Sequence, residues 1–401
     1  YKSKININEK DINGEYPLIK AFYQEKINIF EYLLSQGANH KIKNNNGVSL
    51  LTLALSKKKY DMIQCLLNQH IDINEKDTNG NYPIIKAIRL NDLKSVQLLM
   101  EYGINNNINM DITDINGSPP LILAYRLNFM EIFYYLIKFL DINKKDTNGN
   151  HLLFYTSLKN DIETTKFLIK VGSDINLKDK LGDSIFNKML YNNNQDIMLE
   201  LLNHTNLLLN EPNCRGETPL IISIKLYKSN NRYNNKYSDI INLLIEKGSN
   251  LNHIDKSGKS ALVYAVSNGL SKITKLLIEN GANINHHFGD NNISILIYAI
   301  QQNKVTIKEG YYGDIERIES NHTNGIIKYL IDNNADINYK DADGKSALIY
   351  SLHNNNDEIS EYLINYGADV NIIKEKDEMF SNNDNKSAYK KAYKRISNIL
   401  Q

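Results

Sequence analysis

Short apolar stretches alternate with polar turns along the chain, and the alternation has two parts. The first is a brief run such as Leu220 to Ile224 or Leu262 to Val266. It follows a hydroxyl residue or proline, as at Thr218-Pro219, Ser260-Ala261 and Ser346-Ala347. A hydroxyl that accepts from free amide N–H groups, followed by proline with its pre-set φ, predicts a helix start. After a polar turn such as Asn91-Asp92 or Asn160-Asp161, the second part reads I-x-x-x-L-L. Ile240 to Ile245 and Ile273 to Ile278 are clear copies, with apolar residues at helical spacing. Gly37, Gly103, Gly172, Gly248, Gly281 and Gly367 stand just past these segments, where a left-handed residue ends a helix. The pattern predicts pairs of short helices.

The pairs recur with a fixed period. Each opens on D-x-x-G, as at Asp77 to Gly80, Asp146 to Gly149, Asp179 to Gly182, Asp255 to Gly258 and Asp341 to Gly344, a tight turn in which glycine supplies positive φ. Gly14, Gly47, Gly80, Gly117, Gly149, Gly182 and Gly216 follow at intervals of 33, 33, 37, 32, 33 and 34. Gly258 comes 42 later, Asn292 takes the glycine's place after 34, and Gly344 follows after 52. A period of 33 with insertions marks stacked units that share one core. The insertions lie near residues 105–113, 228–236 and 304–323. Ten units fill residues 11–373. Residues 1–10 read as the tail of a truncated preceding unit, and 374–401 as a capping helix or partial repeat.

Turn, helix, turn, helix at this period, with G-x-T-P-L at Gly216 to Leu220, resembles the ankyrin repeat. The closing segments Gly281 to Asn285, Ala335 to Asn338 and Gly367 to Asn371 match its G-A-N-I-N type of ending. The resemblance implies an all-α solenoid of stacked helix-turn-helix units with projecting β-hairpin turns. It also implies a non-enzymatic scaffold that binds a protein partner through a concave face. The alternative is a regulatory or targeting arm of a larger enzyme, channel or effector. One departure stands out: the family's histidine after T-P-L is replaced by Ile19, Ile85, Ile122, Ile221 and Val263, so apolar packing is expected at that corner.

Composition narrows the function further. A formal charge of +1 with 23% charged residues gives no strong field for nucleic acid, and no apolar run is long enough to insert in a membrane. Two cysteines, Cys65 and Cys214, make no disulfide framework and fit a reducing, intracellular and cytoplasmic setting. No catalytic constellation emerges, and no cofactor is implied. Gly258-Lys259-Ser260 and Gly344-Lys345-Ser346 lack the first glycine of a phosphate-binding loop. His286-His287 has no cysteine nearby and makes a poor metal site.

What remains is surface. The ends of the first helices carry Tyr23, Arg89, Leu90, Arg126, Leu127, Lys159 and Tyr191, candidate anchors of the residue types that dominate binding hot spots. A second stripe, Lys20, Lys86, Lys188, Tyr155, Tyr264, Tyr298 and Tyr350, lies two residues after the first-helix leucine. Its lysines should face solvent and its tyrosines pack between neighbouring first helices. The residues after the turn glycines, Glu15, Val48, Asn81, Ser118, Asn150, Asp183, Glu217, Lys259, Ile293 and Lys345, read as exposed, variable tips. The third insertion adds Tyr311 and Tyr312 in a Gly-Tyr-Tyr-Gly turn followed by a short helix, a candidate contact outside the repeats.

Overall fold

The computed structural model describes residues 6–192, 194–227, 234–303, 306–309, 315–318, 321–354 and 356–371. These form twenty short helices and four strands, gathered into two compact units, Tyr1–Lys180 and Leu181–Gln401. The first unit holds five helix pairs: α1 (Pro17–Tyr23) and α2 (Ile27–Ser35), α3 (Leu50–Ser56) and α4 (Tyr60–Leu67), α5 (Pro83–Arg89) and α6 (Leu93–Asn105), α7 (Pro120–Arg126) and α8 (Met130–Leu136), α9 (Leu152–Leu158) and α10 (Ile162–Lys170). The second begins with α11 (Ile185–Tyr191) and α12 (Gln195–Leu202), α13 (Pro219–Leu226) and α14 (Asn234–Glu246), α15 (Ala261–Ser267) and α16 (Ser271–Glu279). A small antiparallel hairpin, β1 (His287–Phe288) and β2 (Ile293–Ser294), then leads into α17 (Ile295–Gln302). Strands β3 (Thr306–Glu309) and β4 (Ile315–Ile318) separate α17 from its partner α18 (Asn321–Asp332), and α19 (Ala347–His353) and α20 (Asp357–Asn365) follow. Within each unit first helices pack on first helices, as α3 on α5 on α7 on α9, and second helices on second helices, as α2 on α4 on α6 on α8.

The helix starts follow the predicted chemistry. Ser49, Ser184, Thr218, Ser260 and Ser294 accept the amide N–H three residues on, while Pro17, Pro83, Pro120 and Pro219 open α1, α5, α7 and α13. Helices of seven to nine residues do not hold alone in water, so tertiary packing must hold them. It does so through Phe22, Phe30, Ile63, Leu66, Phe133 and Phe186 and their neighbours, all fully buried. Ile19, Ile85, Ile122, Ile221 and Val263, at the position of the family histidine, are buried too, as expected.

Closing asparagines lock one pair to the next with both ends of the amide. Asn252 Oδ1 accepts from Asn283 N at 2.7 Å while its Nδ2 donates to the Gly281 carbonyl at 3.4 Å. Asn338 repeats this with Asp369 N at 2.8 Å and the Gly367 carbonyl at 3.1 Å. Asn8 does the same with Asn39 N and the Gly37 carbonyl. Aspartate could supply only the accepting half.

Two local expectations are corrected. Gly103 does not end its helix: α6 runs on to Asn105, and the left-handed turn comes at Asn107, φ 55°. A Cβ on Gly103 would lie 2.3 Å from Met110 Sδ, so glycine is there to let the insertion fold back against the helix. The segment after the Gly-Tyr-Tyr-Gly turn is a strand rather than a short helix. Its ladder with β3 pairs Thr306 with Ile318 and Glu309 with Ile315, and this cross-strand pairing overrides the local helical pattern. Of the second insertion, residues 234–236 are the first turn of α14.

Turn glycines differ in what they touch. At Gly216 (φ +79°) a Cβ would meet Lys256 N at 2.8 Å, in the next pair's turn; at Gly248 (φ +85°) it would meet nothing within 4 Å. Both alanine variants carry the left-handed penalty, but Gly216→Ala must also displace backbone. It is expected to cost roughly 1–2 kcal/mol more than Gly248→Ala in urea unfolding. Equal losses would show that the close approach is not a constraint.

Candidate partner-binding surface

The geometry of the first-helix row starts in the turns. Asp77 Oδ1 accepts the backbone N–H groups of Asn79 and Asn81, both at 2.9 Å, which closes the turn. Its Oδ2 accepts from Lys86 Nζ at 3.2 Å, nine residues on and one helix turn into α5. The same offset recurs in Asp11 with Lys20 (3.1 Å), Asp146 with Tyr155 (2.5 Å), Asp255 with Tyr264 (2.5 Å) and Asp341 with Tyr350 (2.6 Å). These stripe residues therefore clamp each turn to its own helix. The stripe lysines Lys20 and Lys86 bind a carboxylate instead of simply facing solvent. Burial, and then the neighbouring carboxylate, push the Tyr264 and Tyr350 phenols up to about 12. Burial raises the Asp255 carboxyl, but the bonds from Tyr264, Ser257 and Lys259 outweigh it and hold the group below the usual range.

Where the clamp position is apolar, the preceding pair supplies the partner. Leu53, Leu123 and Ile222 stand nine residues after Asn44, Asp114 and Asn213. Asn44 Nδ2 donates to Tyr23 Oη at 3.1 Å, Arg89 Nη2 donates to Asp114 Oδ2 at 2.6 Å, and Asn213 Nδ2 donates to Tyr191 Oη at 3.3 Å. At two of the tyrosine clamps the equivalent cation of the preceding pair stacks on the ring instead. Arg126 lies 5.4 Å from the Tyr155 ring centre and Lys225 4.9 Å from that of Tyr264.

These contacts decide where the candidate anchors sit. Tyr23, Arg89, Leu90, Arg126, Leu127 and Lys159 come together along the first-helix row of the first unit, at the joints between pairs. Tyr191 holds the equivalent place in the second unit. Arg89 is engaged with a side chain, Asp114, that is only 1% exposed. Arg126 donates to Ser118 Oγ at 3.2 Å, and Lys159 lies 4.7 Å from the Tyr125 ring centre. Tyr23 (44%), Leu90 (36%) and Leu127 (38%) keep substantial exposure. Two members of the row were not singled out from sequence, Leu158 (49% exposed) and Lys57. Their signal was present: they occupy the ninth and tenth positions after the turn glycine, like the others.

Residues 1–77, 54–148, 152–233, 231–309 and 318–389 match the family model described as Ankyrin repeats (3 copies). The chain belongs to the ankyrin-repeat family. Ankyrin repeats in general mediate protein–protein interaction, and the fold is typically a non-enzymatic module. Among similar proteins is the putative ankyrin repeat protein L371 of Acanthamoeba polyphaga mimivirus, 27% identical over 56% of this chain and 31% of that protein. Another is the phosphocholine transferase AnkX of Legionella pneumophila, 24% identical over 66% of this chain and 31% of that protein. The chain thus spans about a third of the length of these two relatives. An ankyrin repeat domain from Acinetobacter baumannii is similar in structure, with a TM-score of 0.44 at 20% identity, over 54% of this chain and 98% of that one.

On these ankyrin repeats the turn tips differ from expectation. Ser118, Asp183 and Glu217 are buried, and Glu15, Val48, Asn81, Asn150, Lys259, Ile293 and Lys345 are part-buried. The residue after the glycine is the returning arm of the turn, its N–H and carbonyl bonded back to the turn aspartate, as for Asn81 with Asp77. The exposed tips are instead Ile12, Ile115 and Leu181 inside the D-x-x-G turns. His286 Nε2 bonds the Gly258 carbonyl at 2.7 Å, and His287 stacks on Tyr339 with ring centres 3.9 Å apart. Among the described residues no group of three or more His, Cys, Asp or Glu could hold a metal ion, and no helix is long and apolar enough to cross a membrane. Cys65 and Cys214 are free. Tyr311 and Tyr312, and the proposed cap at 374–401, lie outside the described residues.

Proposed function

We propose that the chain is a non-enzymatic scaffold that binds a protein partner along the first-helix row, the concave face of its solenoid. Tyr23, Arg89, Leu90, Arg126, Leu127 and Lys159 form the contact in the first unit, and Tyr191 is the equivalent candidate anchor of the second. The observation that carries this reading is the recurrence of half-exposed apolar side chains beside cations at the ninth and tenth positions after the turn glycine of successive pairs. Large side chains already braced by neighbours lose little conformational freedom on binding, which favours them as anchors. Two free cysteines suit an intracellular, cytoplasmic setting. A second reading places the same row on a regulatory or targeting arm of a larger protein. The likeness to AnkX, which is about three times as long as the matched region, favours it.

The test is site-specific photocrosslinking in cells, with the crosslinker at Leu90 or Leu127 and, for comparison, at the exposed second-helix residue Tyr32. One discrete adduct from Leu90 and Leu127, absent from Tyr32, is expected. An adduct from Tyr32 alone would move the interface to the second helices and overturn the proposal.

A further inference from the structure

Charge along the row of the first unit is one-sided. Arg89 is neutralised by Asp114, and Glu25 is bound to Lys59 at 2.7 Å. Lys57, Arg126 and Lys159 are exposed, and none makes an ion pair among the described residues. Each touches an aromatic ring instead: Lys57 that of Tyr23, Arg126 that of Tyr155, Lys159 that of Tyr125. A ring leaves the cation's charge available to an incoming carboxylate. In the second unit the ninth positions hold Tyr191, Lys225, Ser267, Gln301 and His353 and the tenth Asn192, Leu226, Asn268, Gln302 and Asn354. Lys225, the one cation among these apart from histidine, is already bound to the buried Glu217. The free positive character is thus particular to the first unit and is not a property of the repeat.

The apolar half of the pattern sets a spacing. Leu90 and Leu127, at the tenth position after the turn glycine, and Leu158, at the ninth, end the first helices of three successive pairs, and packed helices lie roughly 8–10 Å from axis to axis. A partner that meets all three must present an apolar side chain about every 9 Å on one side. A partner α-helix covers that distance in about six residues, which leaves successive contacts far around its circumference. A β-strand covers it in about three, which puts successive contacts on opposite faces. Polyproline II, with three residues per turn and about 3.1 Å per residue, returns to the same side every ~9.3 Å.

We propose that the first-helix row of the first unit binds an acidic, extended segment in polyproline II conformation, with an apolar residue at every third position. Its leucine-like side chains sit against Leu90, Leu127 and Leu158, and its carboxylates meet Arg126, Lys159 and Lys57. This rests on the reading of the row as the partner surface and gives that partner its chemistry.

The test uses the full chain and labelled twelve-residue peptides, read by fluorescence anisotropy. The first repeats glutamate–proline–leucine four times; the second replaces glutamate by lysine; the third keeps the acidic composition but gathers the leucines at one end. The acidic periodic peptide is expected to bind at least about tenfold more tightly than either of the others, and more weakly as salt rises. The Arg126→Glu, Lys159→Glu double variant should weaken it by at least about tenfold. Lys57→Glu, at an exposed side chain 6.0 Å from the Tyr23 ring centre and near the Glu25 carboxylate that Lys59 already binds, should weaken it with at most a small change in unfolding midpoint. Equal binding of the basic peptide, equal binding of the irregular peptide, or indifference to both variants would overturn the proposal. A row-specific crosslink at Leu90 and Leu127 alongside such a result would leave the scaffold reading standing, with a partner of other chemistry.

Discussion

Arg89→Ala is expected to lower the unfolding free energy by about 3 kcal/mol, although the residue looks like a surface anchor. Asp114 lies beneath it with 1% of its side chain exposed, and its Oδ1 is taken by the N–H groups of Asn116 (2.9 Å) and Ser118 (2.8 Å). Oδ2 has Arg89 at 2.6 Å. Removing the guanidinium strands a buried charge. Breaking a fully buried pair costs about 3–5 kcal/mol, and the lower end applies because Arg89 itself is partly in water. Arg89→Lys should recover little of this, since a shorter-reaching point charge does not reproduce the guanidinium geometry. The chain itself suggests the rescue. Where tyrosine holds this place, at Tyr23 and Tyr191, the turn residue is asparagine, Asn44 and Asn213. The double variant Arg89→Tyr, Asp114→Asn should therefore return to within about 1 kcal/mol of the parent in urea unfolding. A double variant as unstable as Arg89→Ala would show that the joint is not an interchangeable module. Partner binding lost in Arg89→Ala would therefore reflect the stranded Asp114 charge rather than a lost contact. Leu90 and Leu127 probe the surface without disturbing a buried charge.

The period, the helix pairs and the caps were legible in the sequence because each is set within a few residues: Thr218 and its proline, Gly281 and its left-handed turn. The first-helix row was legible as well, since Tyr23, Arg89 and Arg126 repeat at one offset from a glycine. What each of them does was not. Whether Arg89 is free or committed depends on residue 123 of the following pair, a leucine that leaves Asp114 without its own clamp. Such a relation between residues 34 apart appears only once the pairs are stacked. The turn positions were misread for a related reason: hydrophilic residues after a glycine suggest exposure, yet Ser118 and Glu217 lie buried because their backbone returns against the stack. The β3–β4 hairpin was misread because cross-strand pairing is not written in either strand alone.

His151 should make the fold sensitive to mild acid. It stands before α9 where other pairs have Ser, Thr, Pro or Tyr, fully buried, and it offers no side-chain cap. Its ring packs edge-on to Phe154 at 4.9 Å. Burial, helped by the nearby Lys145 charge and opposed by Asp174, Asp146 and a hydrogen bond with the Leu177 backbone, pushes its pKa down to about 4. In the unfolded chain the group titrates near 6.5. The unfolded state therefore binds the extra proton first: stability is fully present at neutral pH, is lost as pH falls below about 6.5, and stops falling near 4. By pH 5 the loss from this residue alone amounts to about 2 kcal/mol. His151→Thr removes the titrating ring and places a hydroxyl where Thr218 caps α13, accepting from Ile221 N. The gained cap offsets part of the lost volume, so stability at pH 7 should change by only about 1 kcal/mol. The measurement is urea unfolding of both proteins at pH 7 and pH 5. The other histidines contribute equally to both, so the difference between the two proteins isolates His151. The parent should lose about 2 kcal/mol more than the variant. Parallel losses, or an NMR titration of His151 with its midpoint near 6.5, would show that the ring reaches water and that the buried imidazole is not the acid-sensitive element.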